Sequence, residues 1–551
     1  MKVPLSVKLS SIFVLKNQST LLVKSNMTYP DRFDEIWEPE SVQSASMERD
    51  SKLDRYEVTN GYEDGYVSVL DRIIVEVVRM AGSMYMFMAM WIILALWIVL
   101  GIVYNAPQTW QIIMQDGQSI QTYIWDTLLM RQQLDDSTSF LKLYGRLKSR
   151  FLTHRRLLDV LTRRTKALSG IVVSEKKEGS YITSASLENR GTGSSLFDDL
   201  QRSIEAEVKL PAQNWFDKLC TFLSQCLGSL PSVVIYWIGI FVWIGCGNLY
   251  IVTGNSPPFT GQRTGSNPHY SKWNDNWQLF INTTTAVVLL ITSILLENVR
   301  DRNDGYIREQ MQKLCTLDCK IEGMARYATG DLEDNEIVEI PPVKRLGIKK
   351  IISAYAQIIG TGIGLVISCF VFAIWLGFGS RMNWDSNWWL IIGTFTGLVG
   401  FVDGFTLREI YYSITNYEEK RFGELLDDSQ ELLDVAGIEY RLRNYVVDRT
   451  FIYRFSEYVN YLCSNQWSVV IAVVAVMILL FIASALHWSI TGQLICNTPT
   501  MIIEGFCLLI LIQAHNWADF RRRFIVKQLA VSRELLYQHV QKLLPADKFT
   551  R

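Results

Sequence analysis

The sequence predicts an all-α integral membrane protein with eight transmembrane helices, arranged as four parallel-repeat hairpins with cytoplasmic helical extensions. The chain is 49% hydrophobic and only 20% charged, its apolar residues concentrate in separate stretches, and a long charged segment follows every second stretch. A helix needs about 20 apolar residues to cross the hydrocarbon core of a bilayer. This uneven distribution therefore favours membrane spans over one soluble core. The eight stretches are residues 84–104, 112–130, 230–252, 277–296, 352–379, 388–407, 468–486 and 494–512.

Basic residues predict the orientation of the spans. None of the eight stretches contains Lys or Arg, and the loops after the odd-numbered stretches contain only Arg263, Lys272 and Arg381. Cytoplasmic loops carry the excess of basic residues in membrane proteins. Both termini and the long charged loops are therefore expected in the cytoplasm. The net charge of −1 gives no indication of nucleic-acid binding.

The alternation of apolar and charged segments divides the chain into nine regions. Residues 1–65 are predicted to be a mobile cytoplasmic N-terminal region, and residues 132–215 a cytoplasmic helix followed by a flexible insert. The hairpin repeats are expected at 66–131, 216–300, 349–408 and 461–516. The remaining cytoplasmic helices are expected at 301–348, 409–460 and 517–551.

The second span of each hairpin begins with a similar segment, and the four copies align without gaps. The segments are 110–118, 277–285, 388–396 and 492–500, and three of them begin with Trp. One alignment position holds Gln115, Asn282, Gly393 and Asn497, and the next holds Asp116, Thr283, Thr394 and Thr498. Each copy runs in the same direction across the membrane. The repeats are therefore parallel, which favours a pseudo-symmetric ring around an axis normal to the membrane.

Three carboxylates stand out deep inside predicted spans: Asp126, Asp403 and Glu504. An ionisable group in a span costs about 2.5–3.5 kcal/mol on insertion scales and by default indicates function. In the repeat register the three acids fall at offsets 16, 15 and 12 from the Trp position, on a similar helix face within about one turn. The second repeat offers the hydroxyl of Thr292 at this level. The alternative interpretation is that each acid pairs locally and only packs helices.

Four further residues are candidate ligands or gating groups near the ends of the spans. Glu297 ends the second repeat's long span, where a solvated interfacial role is the alternative to gating. His515 follows the last span and is either an exit ligand or an interfacial hydrogen-bonding residue. Asn282 and Asn497 either cap their helices or line a vestibule. Together with Asp126, Asp403, Glu504 and Thr292, these residues form the predicted metal site.

Carboxylate, amide and hydroxyl oxygens suit hard or borderline divalent cations, so the residues predict a pathway for such ions. No Gly-x-x-x-x-Gly-Lys-Ser/Thr loop for nucleotide binding is present. The concentration gradient and the membrane potential are therefore the expected driving force. No enzymatic activity and no cofactor are expected. Two alternatives stay open, which are a cation channel of low metal selectivity and a non-transporting membrane scaffold or receptor.

Residues 276–285 and 295–303 of the second repeat resemble the low-affinity iron permease family. They contain a Trp-x-x-x-x-Asn-Thr helix start and an exit similar to the family's Gln-Asn-x-x-x-Arg-Asp motif. Glu297 and Asn303 depart from that motif, because the short members of the family have Gln and Asp there. In the last repeat, residues 496–500 and 512–516 are similar to the fungal branch. The resemblance covers approximately residues 70–545.

The resemblance implies a plasma-membrane permease of low affinity for Fe2+ that also passes copper, zinc, manganese and cobalt. It implies that Fe2+ is the transported substrate and not a bound cofactor. The expected partners are therefore divalent metal ions and the lipid bilayer, without nucleic acid. Whether the chain forms a homo-oligomer stays open.

Overall fold

The computed structural model describes residues 20–28, 80, 83–105, 108–175, 210–249, 275–360, 362–442 and 451–543. Helices dominate this part of the chain, together with one small two-stranded sheet. In chain order the elements are β1 (Leu21–Val23), α1 (Met84–Val103), α2 (Gln108–Glu175), α3 (Trp215–Leu227), α4 (Leu230–Leu249), α5 (Asp275–Thr329), β2 (Val338–Ile340), α6 (Ile348–Ile359), α7 (Gly362–Gly379), α8 (Ser386–Val435), α9 (Phe451–Cys463), α10 (Gln466–Ala485) and α11 (Ile490–Leu543).

A short apolar helix precedes each of four long helices. The short helices α1, α4 and α10 have 20 residues each and α7 has 18. The long helices α2, α5, α8 and α11 have 68, 55, 50 and 54 residues. A helix of 50 residues is about 75 Å long, whereas the hydrocarbon core of a bilayer is about 30 Å thick. Each long helix therefore continues well beyond the part that a bilayer could cover.

Within the described residues, six helices are long and apolar enough to cross a membrane: α1, α4, α5, α8, α10 and α11. The prediction of an all-helical protein with apolar spans is confirmed, but the count of eight is not. Within the described residues, the apolar stretch of α7 is Val366–Gly379. The first turns of α2 contain Gln115, Asp116 and Gln118, which lower its hydropathy. The two further spans stay predictions.

The four long helices form an inner bundle. Helix α2 packs along α5 and α8, and α11 packs along the same two helices. Consequently α2 lies diagonally opposite α11, and α5 lies diagonally opposite α8. The apolar windows of α5, α8 and α11 are 56–67% buried, whereas those of α1, α4 and α10 are only 17–22% buried. The short helices therefore surround the inner bundle and expose large apolar surfaces, as membrane contact requires.

Three of the four pairs of short and long helices share one contact between two tryptophans. Trp97 of α1 stacks on Trp110 of α2, with ring centroids 3.8 Å apart and planes 3° apart. The equivalent pairs are Trp243 with Trp277 and Trp375 with Trp388, at 3.9 and 4.1 Å. In every pair each indole N–H donates to the other residue's backbone oxygen, at 2.7–3.2 Å. We call this end of the inner bundle the tryptophan end.

The fourth pair of helices, α10 and α11, makes a different contact at the same place. The repeat register puts Gly492 where the other long helices have Trp. Leu479 precedes Gly492 by 13 residues (492 − 479), the separation between Trp97 and Trp110. The Cys496 thiol donates to the backbone oxygen of Leu479 at 3.3 Å. A thiol and two small or aliphatic residues thus replace the aromatic stack.

Three helices of 12 or 13 residues, α3, α6 and α9, precede α4, α7 and α10. The predicted span at 352–379 is accordingly divided, because α6 ends at Ile359 and α7 begins at Gly362. Gly360 lies at this break, where an added Cβ would lie 3.1 Å from the oxygen of Ala356 and 3.3 Å from the nitrogen of Arg131. Glycine therefore lets the chain turn in close contact with α2.

Beyond their apolar parts the long helices continue together as a bundle that buries charged groups. Arg533 of α11 lies 2.7 Å from Asp318 of α5, and both side chains are at most 2% exposed. His154 of α2 is fully buried beside them, with Nε2 3.1 Å from the backbone oxygen of Asp318. Burial lowers the pKa of His154, so a neutral imidazole donates its Nε2 proton to that oxygen.

The sheet connects the N-terminal region to this extension. Strand β1 pairs antiparallel with β2, with Leu21 opposite Ile340. Val23 is buried against α2, where a Cβ added to Gly145 would lie 2.7 Å from the Val23 Cβ. Residues 21–23 of the predicted mobile region thus form a paired and partly buried strand, and the mobility of residues 1–65 stays a prediction. The other residues of that region, apart from 20–28, and most of the predicted flexible insert lie outside the described residues.

Candidate functional site

The interior of the inner bundle consists of layers that take one side chain from each long helix, in the gap-free register of the sequence. The first layer at the tryptophan end is apolar, and all four side chains are fully buried in one cluster. We call it the outer ring, and its members are Ile112, Leu279, Leu390 and Leu494. Four close-packed aliphatic side chains leave no space for water, so the axis is closed at this level.

The next two layers are polar, and we call them the polar layers. They contain Gln115, Asn282, Gly393 and Asn497, followed by Asp116, Thr283, Thr394 and Thr498. The Asn282 amide donates to Oε1 of Gln115 at 3.3 Å. Asn282 and Asn497 lie seven residues after the first residues of α5 and α11 and are at most 2% exposed. They therefore line the interior and do not cap their helices, while their metal binding stays a prediction.

A chain of hydrogen bonds leads from the polar layers further along the axis. The Gln118 amide donates to the Thr122 hydroxyl at 2.6 Å, and Thr122 is hydrogen-bonded to the Glu504 carboxylate. Thr122 and Glu504 are register equivalents on α2 and α11, which are diagonally opposite. This hydrogen bond therefore crosses the axis of the bundle.

A cavity lies on the axis at the level of Glu504, and we call it the acid cavity. It encloses about 60 Å³, enough for about four to six water molecules. Its wall contains the carboxylates of Asp126, Glu297 and Glu504, from α2, α5 and α11, and Arg408 from α8. Fully ionised, these four groups carry a net charge of −2. Charge and size are therefore suited to a divalent cation that keeps some of its water.

Asp403 and Thr292 lie outside the wall of this cavity. Asp403 is 1% exposed and accepts a hydrogen bond from the Tyr355 hydroxyl of α6 at 2.6 Å. Thr292 donates to the backbone oxygen of Val288 in its own helix at 2.6 Å, and the neighbouring Ser293 lines the cavity. The structure thus brings together Asp126, Glu504 and Glu297, while Asp403 and Thr292 lie close behind them.

A second apolar layer closes the acid cavity on the side away from the tryptophan end. Its four side chains are register equivalents and are 2–7% exposed. We call it the leucine ring, and its members are Leu129, Leu296, Leu407 and Leu511. The acid cavity therefore lies between two apolar rings.

His515 lies beyond the leucine ring in a second cavity of about 30 Å³. Its Nδ1 donates to the oxygen of Leu511 at 2.8 Å, and its ring stacks on Tyr411 at 4.0 Å. Nε2 has no hydrogen-bond partner in the described part of the chain. Both interpretations of His515 thus keep support, because one nitrogen is hydrogen-bonded while the other has a free lone pair, as in metal-ligating histidines. Arg300, Asp304, Glu418, Asp519 and Arg522 also line this cavity.

Among the described residues, no three or more His, Cys, Asp or Glu side chains converge closely enough to hold one metal ion. Asp126 nevertheless interacts electrostatically with both Glu504 and Asp403. An ion in the acid cavity would therefore combine a few carboxylate contacts with water. Such mixed coordination is weak and exchanges fast. The metal-binding roles of these acids stay predictions.

Three features of this site were not predicted from the sequence. Arg408 was placed at a span end, although it is 2% exposed and balances part of the charge of the acid cavity. The repeat register already aligned the members of both apolar rings, but only its polar positions were considered. The register aligns Asp116 with three threonines, and Asp116 is absent from the predicted metal site.

Comparison with known proteins gives the family. The family model described as low affinity iron permease matches residues 452–538. The chain is 46% identical over 483 residues to the "Low-affinity Fe(2+) transport protein" of Saccharomyces cerevisiae, covering 86% of this chain and 84% of that protein. It is 37% identical over 536 residues to the "Low-affinity iron/zinc ion transport protein fet4" of Schizosaccharomyces pombe, covering 96% and 83%. No solved structure matches.

Both relatives are transport proteins and not enzymes, and their matches cover 86% and 96% of this chain. Their identity and coverage agree with the apolar helices of a multi-pass membrane protein. The resemblance seen in the second and last repeats is confirmed, and the chain belongs to the low-affinity iron permease family.

Proposed function

We propose that this chain carries Fe2+ passively and with low affinity across the plasma membrane, along the axis of its inner bundle. One observation carries the proposal: the acid cavity lies on that axis, with Asp126 and Glu504 on diagonally opposite helices. Three buried carboxylates around a space large enough for water, with Arg408 offsetting one of their charges, are costly unless a further cation compensates the remaining charge. The choice of Fe2+ as the metal follows from both relatives, which are named as iron transport proteins.

The tryptophan end faces outward in this proposal, and the charged extensions lie in the cytoplasm. The distribution of Lys and Arg supports this orientation, because basic residues concentrate beyond the other end of the spans. An ion would pass the outer ring, the polar layers, the acid cavity, the leucine ring and then the second cavity. His515 would be the last ligand before the cytoplasm.

All four pairs of helices cross the membrane in this proposal, which makes eight spans. The shared tryptophan contact of three pairs supports it, since that contact places α2 and α8 at the same height as α5. The polar residues of α2 lie in the bundle interior, away from lipid, because Gln115, Asp116 and Gln118 are at most 3% exposed. A span whose polar side faces an aqueous axis does not need high overall hydropathy.

The oxygen ligands of the pathway favour no single divalent metal. Affinities for Mn, Co, Cu and Zn at such a site follow ligand chemistry, in the general order of the first transition series. We therefore propose that copper, zinc, manganese and cobalt also pass. The relative from Schizosaccharomyces pombe supports this for zinc, because its name includes that metal.

The membrane potential and the concentration gradient supply the driving force in this proposal. A divalent ion that moves inward gains about 4.6 kcal/mol per 100 mV, twice the value for one elementary charge. An energy of this size drives accumulation without nucleotide hydrolysis. Weak ligation by few carboxylates also lets the ion leave the acid cavity quickly.

The test is uptake of radioactive Fe2+ by liposomes that contain the purified protein, with an inside-negative potential. Asp126→Asn and Glu504→Gln should each lower uptake at subsaturating Fe2+ about tenfold or more, because a charge-assisted ligand contributes about 1.5–3 kcal/mol. Glu309→Gln is the matched control, since Glu309 is an exposed acid paired with Lys313 in the extension.

Three results would contradict the proposal. Wild-type protein that transports no Fe2+ would favour a scaffold or receptor. Normal uptake by both acid variants would remove the acid cavity from the pathway. Monovalent currents as large as the Fe2+ flux would favour a cation channel of low metal selectivity.

A further inference from the structure

Asp116 is a second buried acid on the axis, apart from the acid cavity. Its side chain has no exposed surface, and neither carboxylate oxygen has a hydrogen-bond partner among the described residues. An isolated carboxylate in such a place is among the most costly groups that a protein can bury. No lysine or arginine occurs in any of the predicted spans. The predicted spans therefore offer no lysine or arginine at the depth of Asp116 that could pair with its carboxylate.

Gly393 of α8 makes the space that the Asp116 carboxylate occupies. A Cβ added to Gly393 would lie 1.9 Å from Oδ1 of Asp116 and 2.8 Å from its Cγ, well inside van der Waals contact. Every residue other than glycine would therefore displace the carboxylate. Because Gly393 belongs to the polar layers, the Asp116 side chain extends from α2 into these layers and not toward lipid.

Oxygen atoms without partners occur at the same or neighbouring register positions of the other three long helices. Oδ1 of Asn282, Oδ1 of Asn497 and Oγ1 of Thr394 are buried and make no hydrogen bond within the described residues. They come from α5, α11 and α8, so all four long helices contribute an oxygen. One carboxylate with several neutral oxygens is a set of hard donors that suits a divalent cation.

We infer that Asp116, with the amide oxygens of Asn282 and Asn497, forms a second divalent-cation site between the outer ring and the acid cavity. This inference rests on the proposed function and deepens it. Asp116 precedes Asp126 by ten residues on α2, so the two sites are about 15 Å apart along the axis.

The two sites differ in charge, and the difference gives each a role. The outer site offers one carboxylate, so it takes a cation that has given up part of its water for neutral oxygens. The acid cavity offers three carboxylates and more space for water. An ion held first at Asp116 is then passed inward, and a second ion at Asp116 promotes release of the first by repulsion, as in multi-site conduction.

The test uses four purified proteins in liposomes: wild type, Asp116→Asn, Gly393→Ala and Gly117→Ala. Gly117 is the matched control for a glycine substitution, because it is exposed and no atom lies within 4 Å of an added Cβ. Asp116→Asn and Gly393→Ala should raise the Fe2+ concentration for half-maximal uptake about tenfold. Gly117→Ala should leave it unchanged.

Equilibrium binding of Mn2+ to the detergent-solubilised proteins separates the two sites. The wild type should bind two ions and Asp116→Asn one. A fifth protein, the Glu504→Gln variant of the uptake test under the proposed function, should also bind one. Folded Asp116→Asn protein that binds two ions with wild-type half-saturation would overturn the inference. If Asp116→Asn does not fold, Gly393→Ala is measured in its place, and two bound Mn2+ ions with wild-type half-saturation would again overturn the inference. Wild-type protein without Fe2+ uptake would refute the proposed function, while the Mn2+ count would still decide the Asp116 site.

Discussion

The tryptophan contact between α7 and α8 should stabilise this pair of helices through its hydrogen bond as well as its size. Trp388 is 2% exposed, and its indole N–H donates to the oxygen of Trp375 at 2.8 Å. Trp388→Ala removes a buried aromatic side chain, which costs about 3–5 kcal/mol. Trp388→Phe keeps most of the apolar area but loses one hydrogen bond, about 1 kcal/mol, and part of a stacking energy of about 0.5–1.5 kcal/mol. We therefore expect a loss of about 1–2.5 kcal/mol for Trp388→Phe.

Trp389→Phe is the matched control for this change. Its ring stands edge-on to Trp388 at 4.8 Å and takes no part in the reciprocal pair of hydrogen bonds. The assay is size-exclusion chromatography of the detergent-solubilised protein after heating, which gives the temperature at which half of the folded protein is lost. Only the order of these midpoints is compared, because unfolding of such proteins is irreversible. The expected order of midpoints is Trp389→Phe, Trp388→Phe and Trp388→Ala, from highest to lowest. Equal midpoints for the two Phe variants would refute the role of the hydrogen bond.

Two more predictions concern buried polar groups. Tyr355→Phe removes the hydroxyl that donates to Asp403. It should therefore lower the stability of the folded protein by about 1.5–3 kcal/mol in the wild type and by less in the Asp403→Asn background. Equal losses of thermal stability in both backgrounds would show that the carboxylate is not the relevant partner. Burial lowers the pKa of His154 below its ordinary value, so the unfolded chain binds a proton that the folded chain rejects. Stability is therefore complete above about pH 6.5 and falls as the pH drops below it. His154→Gln should reduce this fall, and an identical pH profile of the thermal midpoint in variant and wild type would contradict the assignment.

The repeat register was the most informative property of the sequence. It aligned Gln115 with Asn282 and Asn497, and these residues lie in one layer of the bundle. It also predicted that Asp126 and Glu504 share a depth, and both line the acid cavity. A register succeeds here because the long helices pack side by side and their equivalent positions meet in one layer, as the outer ring and the leucine ring do.

Contacts made by residues far away in the sequence could not be predicted in this way. Asp403 shares the depth of Asp126, but one of its carboxylate oxygens accepts a hydrogen bond from Tyr355 of α6. The order of the long helices around the axis, with α11 between α5 and α8, is a tertiary property that no repeat specifies. Strand β1 was missed because three residues in a polar region give too short a pattern, and only pairing with β2 makes it a strand.

Two apolar rings in series determine what a mutation in either one can do. A charge in an apolar environment costs about 2.5–3.5 kcal/mol on insertion scales, so each ring is a barrier for a cation. Leu279 belongs to the outer ring and Leu407 to the leucine ring, and both are at most 2% exposed. Replacing one leucine by alanine admits water at that ring, while the other ring remains dry. The barrier for a leak is then unchanged, because the higher of two barriers in series limits the rate.

We therefore expect liposomes that contain Leu279→Ala or Leu407→Ala to leak rubidium no faster than those with the wild type. Liposomes with the double variant should leak about 100-fold faster, since lowering the barrier by about 2.7 kcal/mol raises the rate by a factor of about 100. The control pairs Leu279→Ala with Leu398→Ala, because Leu398 is equally apolar but packs against Ala483 and Cys496, away from the axis. A single variant that leaks like the double variant would show that the remaining ring is no barrier. A wild type that passes rubidium together with Fe2+ would show that both rings open at once, which is how a channel works and an alternating-access carrier does not.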